Sequence, residues 1–293
     1  MSAVEGGAAV PVIAAPVSAA AARAGAADGA LPANAAAVAF RGGGFAPSPR
    51  PGAAPLAFLL VLAAWELAVR AGWVDSIFLP PPSAVAQALW QLAADGTLWQ
   101  HLLASLRRIL GGWALGTLAG LLVGGLMGVW SLPRAVGVPV VSAFFPIPKI
   151  ALLPLFILWL GIGEPSKVAV IALGVFFPTT IATFSALDAV PRNLVRMAQS
   201  FGLSRAAVVR DVLLPGALPG IIAGFRITSS IALILLVAAE MIGADRGIGA
   251  FVLQAGQLMQ TDQLLAGVVV LSLLGLAVGT LLSRLERRVT AWR

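Results

Sequence analysis

Ionisable side chains are sparse in this chain, so each one set in apolar sequence asks for a chemical reason. Lys149 lies in "PIPKIALLP", among Pro146, Pro148 and Pro154. Prolines withdraw backbone donors and break helices, and the freed carbonyls need protein or water as partners. A cation at such a break suits an anion pathway; it equally suits pairing or snorkelling to an interface. Glu240 closes the apolar run "IALILLVAAE". It could line an outer gate, but a structural pair with a neighbouring helix is the stronger expectation, because a carboxylate repels an anionic solute. Thr228, Ser229 and Ser230 give the same run a small polar face, suited to close packing or to lining a pathway. Lys149, Pro146, Pro148, Ser229, Ser230 and Glu240 are therefore the candidate translocation residues. Glu66 is expected to anchor helix packing, and Arg226 to sit at the inner interface.

Other chemistries are excluded by what the chain lacks. It has no cysteine and a single histidine, His101, so thiolate and His-rich metal sites are ruled out and no cofactor is expected. Its only lysines are Lys149 and Lys167, and no Gly-x-x-x-x-Gly-Lys-Ser/Thr loop occurs. This chain therefore does not cradle nucleotide phosphates in that way. A membrane-embedded enzyme would need converging His, Asp or Glu residues, whereas Glu66 and Glu240 stand far apart in sequence. The net charge of +7 comes from arginines scattered along the edges of apolar segments. That pattern reports topology rather than a nucleic-acid face.

One polar stretch has its own architecture, the inner loop 188–220 containing "PRNLVRMAQSFGLSRAAVVRDVLLPGALPG". Pro191 suits a first helical turn, and Leu194, Met197, Ala198 and Phe201 fall near one face. Gly202 can take the left-handed conformation that ends a helix. Leu203 follows, and Ser204 caps a second helix whose apolar positions are Val208, Val209, Val212 and Leu213. Pro215 and Pro219 are expected to stop or bend it. Two short helices around a glycine turn would leave an apolar face that needs a partner, or that packs on the chain's own helix ends.

The elements that must position these residues are membrane spans. The 293 residues are 59% hydrophobic and 11% charged, with a mean hydropathy of +0.97; soluble domains carry about 25% charged residues. An all-α polytopic protein follows. Six apolar segments approach the ~20 residues that cross a bilayer: about Pro55–Trp73, Ile109–Trp130, Val136–Leu160, Val168–Leu187, Ile221–Ile242 and Leu264–Leu282. The third is broken by prolines. The second carries glycines at 112, 116, 120, 124 and 128, which permit close approach, either at a dimer interface or inside the protein. In the outer loop, Ser83 reads as the cap of a short amphipathic helix with Val85, Leu89 and Leu92 on its apolar face. Arginine placement puts both termini in the cytoplasm. Arg107 and Arg108 fit that scheme least, and are expected to snorkel at the outer interface or lie in a helix packed on the outer surface. Residues 1–54, rich in Ala, Gly and Pro, read as a disordered tail. A signal peptide would need positive charge where this one has Glu5. Residues 55–283 form the six-helix domain and 284–293 a basic cytoplasmic end.

The inner loop resembles the cytoplasmic coupling loop of bacterial ABC-importer permeases, whose motif runs Glu-Ala-Ala, three residues, Gly, nine residues, Ile, one residue, Leu-Pro. Gly202 stands at that spacing from Val212, with Leu214-Pro215 following. Arg196-Met197-Ala198 occupy the Glu-Ala-Ala positions, so only Ala198 matches, and Val212 replaces the isoleucine. "PIPKIALLPLFILWLGIGEPSK", "LVAAEMIGADRGIG" and "QTDQLLAG" are similar to permeases for nitrate, taurine, aliphatic sulfonates and bicarbonate. The ending "RLERRVTAWR" is most similar to the taurine and sulfonate members. The fifth span departs from them, reading "TSSIALILLVAAE" where an aromatic residue often stands. The resemblance implies the type I importer permease fold in a bacterial inner membrane. It also implies a homodimer with a second copy, two ABC ATPase subunits and a periplasmic solute-binding protein. Ala198, Gly202, Leu203, Ser204, Val212, Leu214 and Pro215 would meet the ATPase. The solute would be a small anion, or alternatively an uncharged or cationic nutrient such as a vitamin precursor. A secondary transporter would have no use for such a docking loop.

Overall fold

The computed structural model describes residues 52–290, with backbone alone for 289 and 290. Most of the expected tail, residues 1–51, and the last three residues lie outside that range. Leu60 onward forms a compact unit, and the contacts below belong to it. Every regular element among the described residues is helical. Helix α1 (Ala53–Arg70) is followed by α2 (Pro82–Ala94), α3 (Thr97–Val129) and α4 (Ser131–Phe144). A 3-10 turn (Lys149–Leu152) leads into α5 (Leu153–Leu160), then α6 (Glu164–Asp188), α7 (Arg192–Ser200) and α8 (Arg205–Val208). A π turn (Val209–Leu213) joins α8 to α9 (Leu214–Met241), and α10 (Ile248–Gln257) and α11 (Thr261–Thr290) complete the chain.

Among these residues, five helices are long and apolar enough to cross a membrane, and the bent pair α4 and 149–160 makes a sixth span if counted as one. The bend is 86°, and the Pro146/Pro148 pair accounts for it. Helices α6 and α9 are central. Val170, Ile171 and Val175 of α6 meet Ala232, Leu235, Leu236 and Ala239 of α9, with Ile109 and Leu153 closing the core. Outside that core, α3 and α11 turn leucines outward, such as Leu118, Leu122, Leu276 and Leu281, as helices facing lipid do.

The glycine stripe of α3 finds its partner inside the protein. A Cβ added at Gly112 would lie 2.6 Å from Ile171, and one at Gly120 would lie 2.7 Å from Thr179 and 2.8 Å from the carbonyl oxygen of Phe176. Gly116 and Gly124 approach the Ala172 and Thr180 carbonyls just as closely, and Gly128 meets Leu187. Apolar surface gains little by leaving lipid for another helix, so close packing holds such spans together. The stripe therefore serves the α3–α6 contact.

Three local expectations are corrected, and one helix was not expected. Helix α3 begins at Thr97 rather than near Ile109, so Arg107 and Arg108 lie on the span itself. Ser83 is inside the first turn of α2, whose cap position is Pro81. The capping oxygens come from Glu66, which accepts from the Ser83 N–H at 3.0 Å and its hydroxyl at 2.8 Å. That contact ties α1 to α2, as expected of Glu66. The apolar face of α2 packs on Ala266, Leu265 and Phe251. Pro215 does not stop the second inner helix: residues 205–241 run on as one rod. The π turn absorbs the lost donor by bonding Leu214 N–H to Val209 O, and Pro215 sits in the first turn of α9. Pro219 lies within α9. Helix α10, finally, had no counterpart among the expected elements.

Candidate functional site

The break before α5 is stapled by Lys149. Its ammonium donates to the carbonyls of Phe144 (2.8 Å), Phe145 (2.7 Å) and Ile147 (2.7 Å). It also sits 4.7 Å above the Phe177 ring. The cation thus binds three carbonyls at the end of α4 and in the turn that carries Pro146 and Pro148, one of which, Phe144, also accepts from Ile147 N–H at 3.3 Å. It also borders a groove of about 220 Å³ with Gly174, Pro178, Ile231, Ile234 and Leu235. Ile231 and Ile234 also line a second, larger groove, with Arg226, Ser229, Ser230 and Gly275. The Ser229 and Ser230 hydroxyls are turned back onto the Arg226 carbonyl at 2.9 and 3.2 Å. Arg226 itself pairs with Glu286 at 3.6 Å. One face of α9 therefore stands between two grooves, and Lys149 borders one of them.

Lys149→Met removes three charge-assisted bonds. It should lower unfolding stability by about 1.5–3 kcal/mol, measured by tryptophan-monitored denaturation in nanodiscs. Uptake lost at wild-type stability would instead place the charge in the solute path.

The 188–220 segment has the expected turn. Gly202 has φ +75, a conformation in which a side chain is strained, and it ends α7 by bonding its N–H to Gln199 O at 2.9 Å. The Ser204 hydroxyl accepts from Ala207 N–H at 3.3 Å and so caps α8. Ala198 and Val208 are buried against the rest of the protein, whereas Leu194, Met197, Phe201 and Leu203 are exposed. Phe201 is 77% exposed, a large cost for an aromatic ring without a partner. Val212 is half-buried, and Leu214 is exposed at the start of α9. Arg192, Arg196, Arg205 and Arg210 are all exposed around this ridge. Arg134 of α4 pairs with Asp188 at 2.8 Å and fastens the segment's entry.

At the opposite end of α3, α6 and α9 lies a constellation whose membership the sequence reading did not foresee. Arg108 and Glu240 are 3% and 1% exposed. Arg108 Nη1 donates to Glu240 at 2.7 Å and also to the Arg246 carbonyl. Its Nε donates to Glu164 at 2.6 Å, and its Nη2 bonds the other oxygen of that carboxylate. The second Glu240 oxygen accepts from Gly249 N–H at 2.8 Å. The Ser105 hydroxyl donates to Glu240 at 2.8 Å and accepts from Ile248 N–H at 2.9 Å. His101 Nδ1 lies 2.9 Å from Gly247 O and 3.1 Å from Gly247 N. Gly247, at φ +138, leaves no room for a side chain, because a Cβ there would run into the Glu240 carboxylate. Burying both charges is tolerable because nearly every lone pair and proton has a partner.

Arg108 is thus neither snorkelling nor on an outer surface. Glu240 is enclosed and borders neither groove, and it lies about 15 Å along α9 from Ser230 at 1.5 Å per residue. The signal that could have found the cluster is the spacing of His101, Ser105 and Arg108, polar residues on one helical face in an apolar span.

The chain resembles known proteins along most of its length. It is 39% identical over 238 residues to the taurine transport system permease protein TauC of Escherichia coli K12, covering 80% of this chain and 86% of that one. It is 37% identical over 232 residues to the putative aliphatic sulfonates transport permease protein SsuC of the same strain, covering 79% and 88%. Among solved structures it superposes on a chain of the MetNI methionine ABC transporter, in an inward-facing conformation, with a TM-score of 0.56 and 27% identity. That match covers 64% of this chain and 93% of the other. Residues 116–291, which hold the 188–220 segment and both grooves beside α9, match the profile of one transport family. The chain belongs to that family, the binding-protein-dependent transport system inner membrane components.

Proposed function

We propose that this chain is the permease subunit of an ATP-driven ABC importer for a small anion such as taurine, an alkanesulfonate or nitrate. Two copies of the chain would pair in the inner membrane with both termini in the cytoplasm. Two ATPase subunits would bind from inside, and a periplasmic binding protein would deliver the solute. The relatives that transport taurine and are named for aliphatic sulfonates support the solute class. The exposed arginines around α7 and α8 support a cytoplasmic place for that segment.

The observation that carries the mechanism is the single rod from Arg205 to Met241. Its lower end lies beside the exposed ridge of Met197, Phe201 and Leu203, and its middle bears the α9 face between the two grooves. An ATPase gripping the ridge moves the rod as a body, so displacement at Ser204 reaches Ser230 without being lost in a flexible joint. Gly202 lets α7 fold back beside the rod, and Ala198 and Val208 hold that corner to the protein. Val212, Leu214 and Pro215 place the π turn where the rod enters the membrane. ATP binding closes the ATPase pair, and whichever permease state fits the closed pair gains population by that difference in affinity. Glu240 serves in this reading as the fixed outer anchor of the moving helix.

The test uses the full transporter. Tagged permease should bring down a nucleotide-binding subunit identified by mass spectrometry. Gly202→Leu and Phe201→Asp should each lower its recovery and taurine uptake at least roughly tenfold, as loss of an anchor residue does in a helix-in-groove contact. Phe201→Asp should keep wild-type thermal stability, whereas Gly202→Leu carries about 1–2 kcal/mol of left-handed backbone strain, so its uptake is read against its measured stability. Uptake unchanged in both variants, with no ATPase recovered, rejects the reading.

A further inference from the structure

At the ends of α3, α6 and α9 farthest from the 188–220 segment, an open cleft of about 780 Å³ is lined by Arg107, Arg108, Lys167 and Arg246, with Glu164 and Asp245. Four cations face two carboxylates. Glu164 is already engaged by the fork of Arg108. The buried Lys167 ammonium donates to the carbonyls of Ile162 at 2.7 Å and Gly163 at 3.2 Å. Arg107 and Arg246 differ. Both are exposed, and neither guanidinium has a hydrogen bond or ion pair with a described residue. Arg70, Arg134, Arg210 and Arg226 each hold a carboxylate; among the described residues Arg192, Arg196 and Arg205 do not, so what sets Arg107 and Arg246 apart is that they share one cleft with Arg108 and Lys167.

Both free guanidiniums are mounted on rigid backbone. Arg107 precedes the buried Arg108 on α3. The carbonyl of Arg246 is held by Arg108, and Gly247 beside it is wedged against Glu240. Guanidinium forks with unused donors, carried on fixed backbone, suit a small oxyanion, whose oxygens they meet in pairs.

We propose that this cleft is an oxyanion-binding vestibule, in which Arg107 and Arg246 hold a sulfonate or phosphate head. Lys149 belongs to a different groove, so the vestibule is a separate site. The oxyanion has two possible sources, a solute sulfonate or the phosphate of an anionic lipid. The first source rests on the importer reading above.

The experiment uses full-length permease assembled with its ATPase in phosphatidylcholine nanodiscs, probed with radiolabelled ethanesulfonate. Binding should be saturable and weaken with added salt. The double variant Arg107→Gln/Arg246→Gln should weaken it at least roughly tenfold, as loss of charge-assisted bonds does, whereas Arg284→Gln, which removes an exposed cation outside the cleft, should leave it unchanged. In a second arm the discs contain phosphatidylglycerol. If lipid phosphate is the occupant, native mass spectrometry finds that lipid retained by the wild type and lost from the double variant, and ethanesulfonate is displaced. Equal behaviour of wild type and double variant toward both probes, or no binding of either probe by the wild type, overturns the proposal. Taurine uptake by the complete transporter is measured separately. Uptake without a binding difference removes the vestibule alone. Binding as expected without uptake removes the solute assignment and leaves the vestibule standing.

Discussion

Replacing Arg108 by methionine should destabilise the folded protein by about 3–5 kcal/mol, because it leaves the buried Glu240 carboxylate without its cation. Glu240 is sealed from solvent and bonds Arg108, Ser105 and Gly249 N–H; losing the guanidinium leaves a charge that neither water nor lipid can stabilise. Glu240→Leu should cost a similar amount, since it strands Arg108 on the partly exposed Glu164. The double variant Arg108→Met/Glu240→Leu should recover about half of the loss: no buried charge is left unpaired, while the Gly249 N–H loses its acceptor. Glu164→Gln is the control. Its side chain is 63% exposed, so its loss should cost no more than about 1 kcal/mol. Denaturant or thermal unfolding in nanodiscs reads all four. A loss below about 1 kcal/mol in Arg108→Met, with no recovery in the double variant, would show that the cluster does not hold these ends of α3 and α9 together.

The second large effect should come from Gly116. A Cβ at this position collides with the backbone carbonyl of Ala172 in α6 and lies 2.9 Å from Val175. Backbone cannot move aside as a side-chain tip can, so Gly116→Ala should cost about 1–3 kcal/mol by overpacking. Gly116→Leu should abolish recovery of folded protein from membranes. Gly125 lies on the same helix, with nothing within 4 Å of its would-be Cβ. Gly125→Ala should be neutral or should stabilise by up to about 1 kcal/mol, the helix-propensity gain over glycine. Opposite responses from two glycines on one helix, read by fluorescence-detected size exclusion after heating, separate packing from backbone entropy. Equal tolerance at both positions would mean that α3 and α6 do not pack through the stripe.

The features legible in the sequence were those with local causes. Apolar runs near bilayer length marked the spans, because a lipid-crossing backbone must satisfy its own hydrogen bonds within each helix. Pro146, Lys149 and Pro148 marked the broken one. Gly202 and Ser204 marked the inner turn, since a left-handed glycine and a hydroxyl cap act within a few residues. Even there, the continuity of α8 with α9 escaped. A proline ordinarily stops a helix, and only the π turn from Val209 to Leu213 shows how this one is accommodated.

What the tertiary structure alone decided was partnership. Arg108 and Glu240 are 132 residues apart, and no periodicity links them. The glycines at 112, 116, 120, 124 and 128 announce a close approach but not to what; the shape of α6 answered that. Likewise, Glu240 ends an apolar run in the sequence, and only the fold of residues 243–249 around it shows that it is enclosed. By itself the sequence determined which segments enter the membrane and where the chain turns, because hydropathy and capping are properties of neighbouring residues. The fold decided which charges are neutralised and which, like Arg107 and Arg246, stay free, because that depends on groups that only packing brings within hydrogen-bond distance.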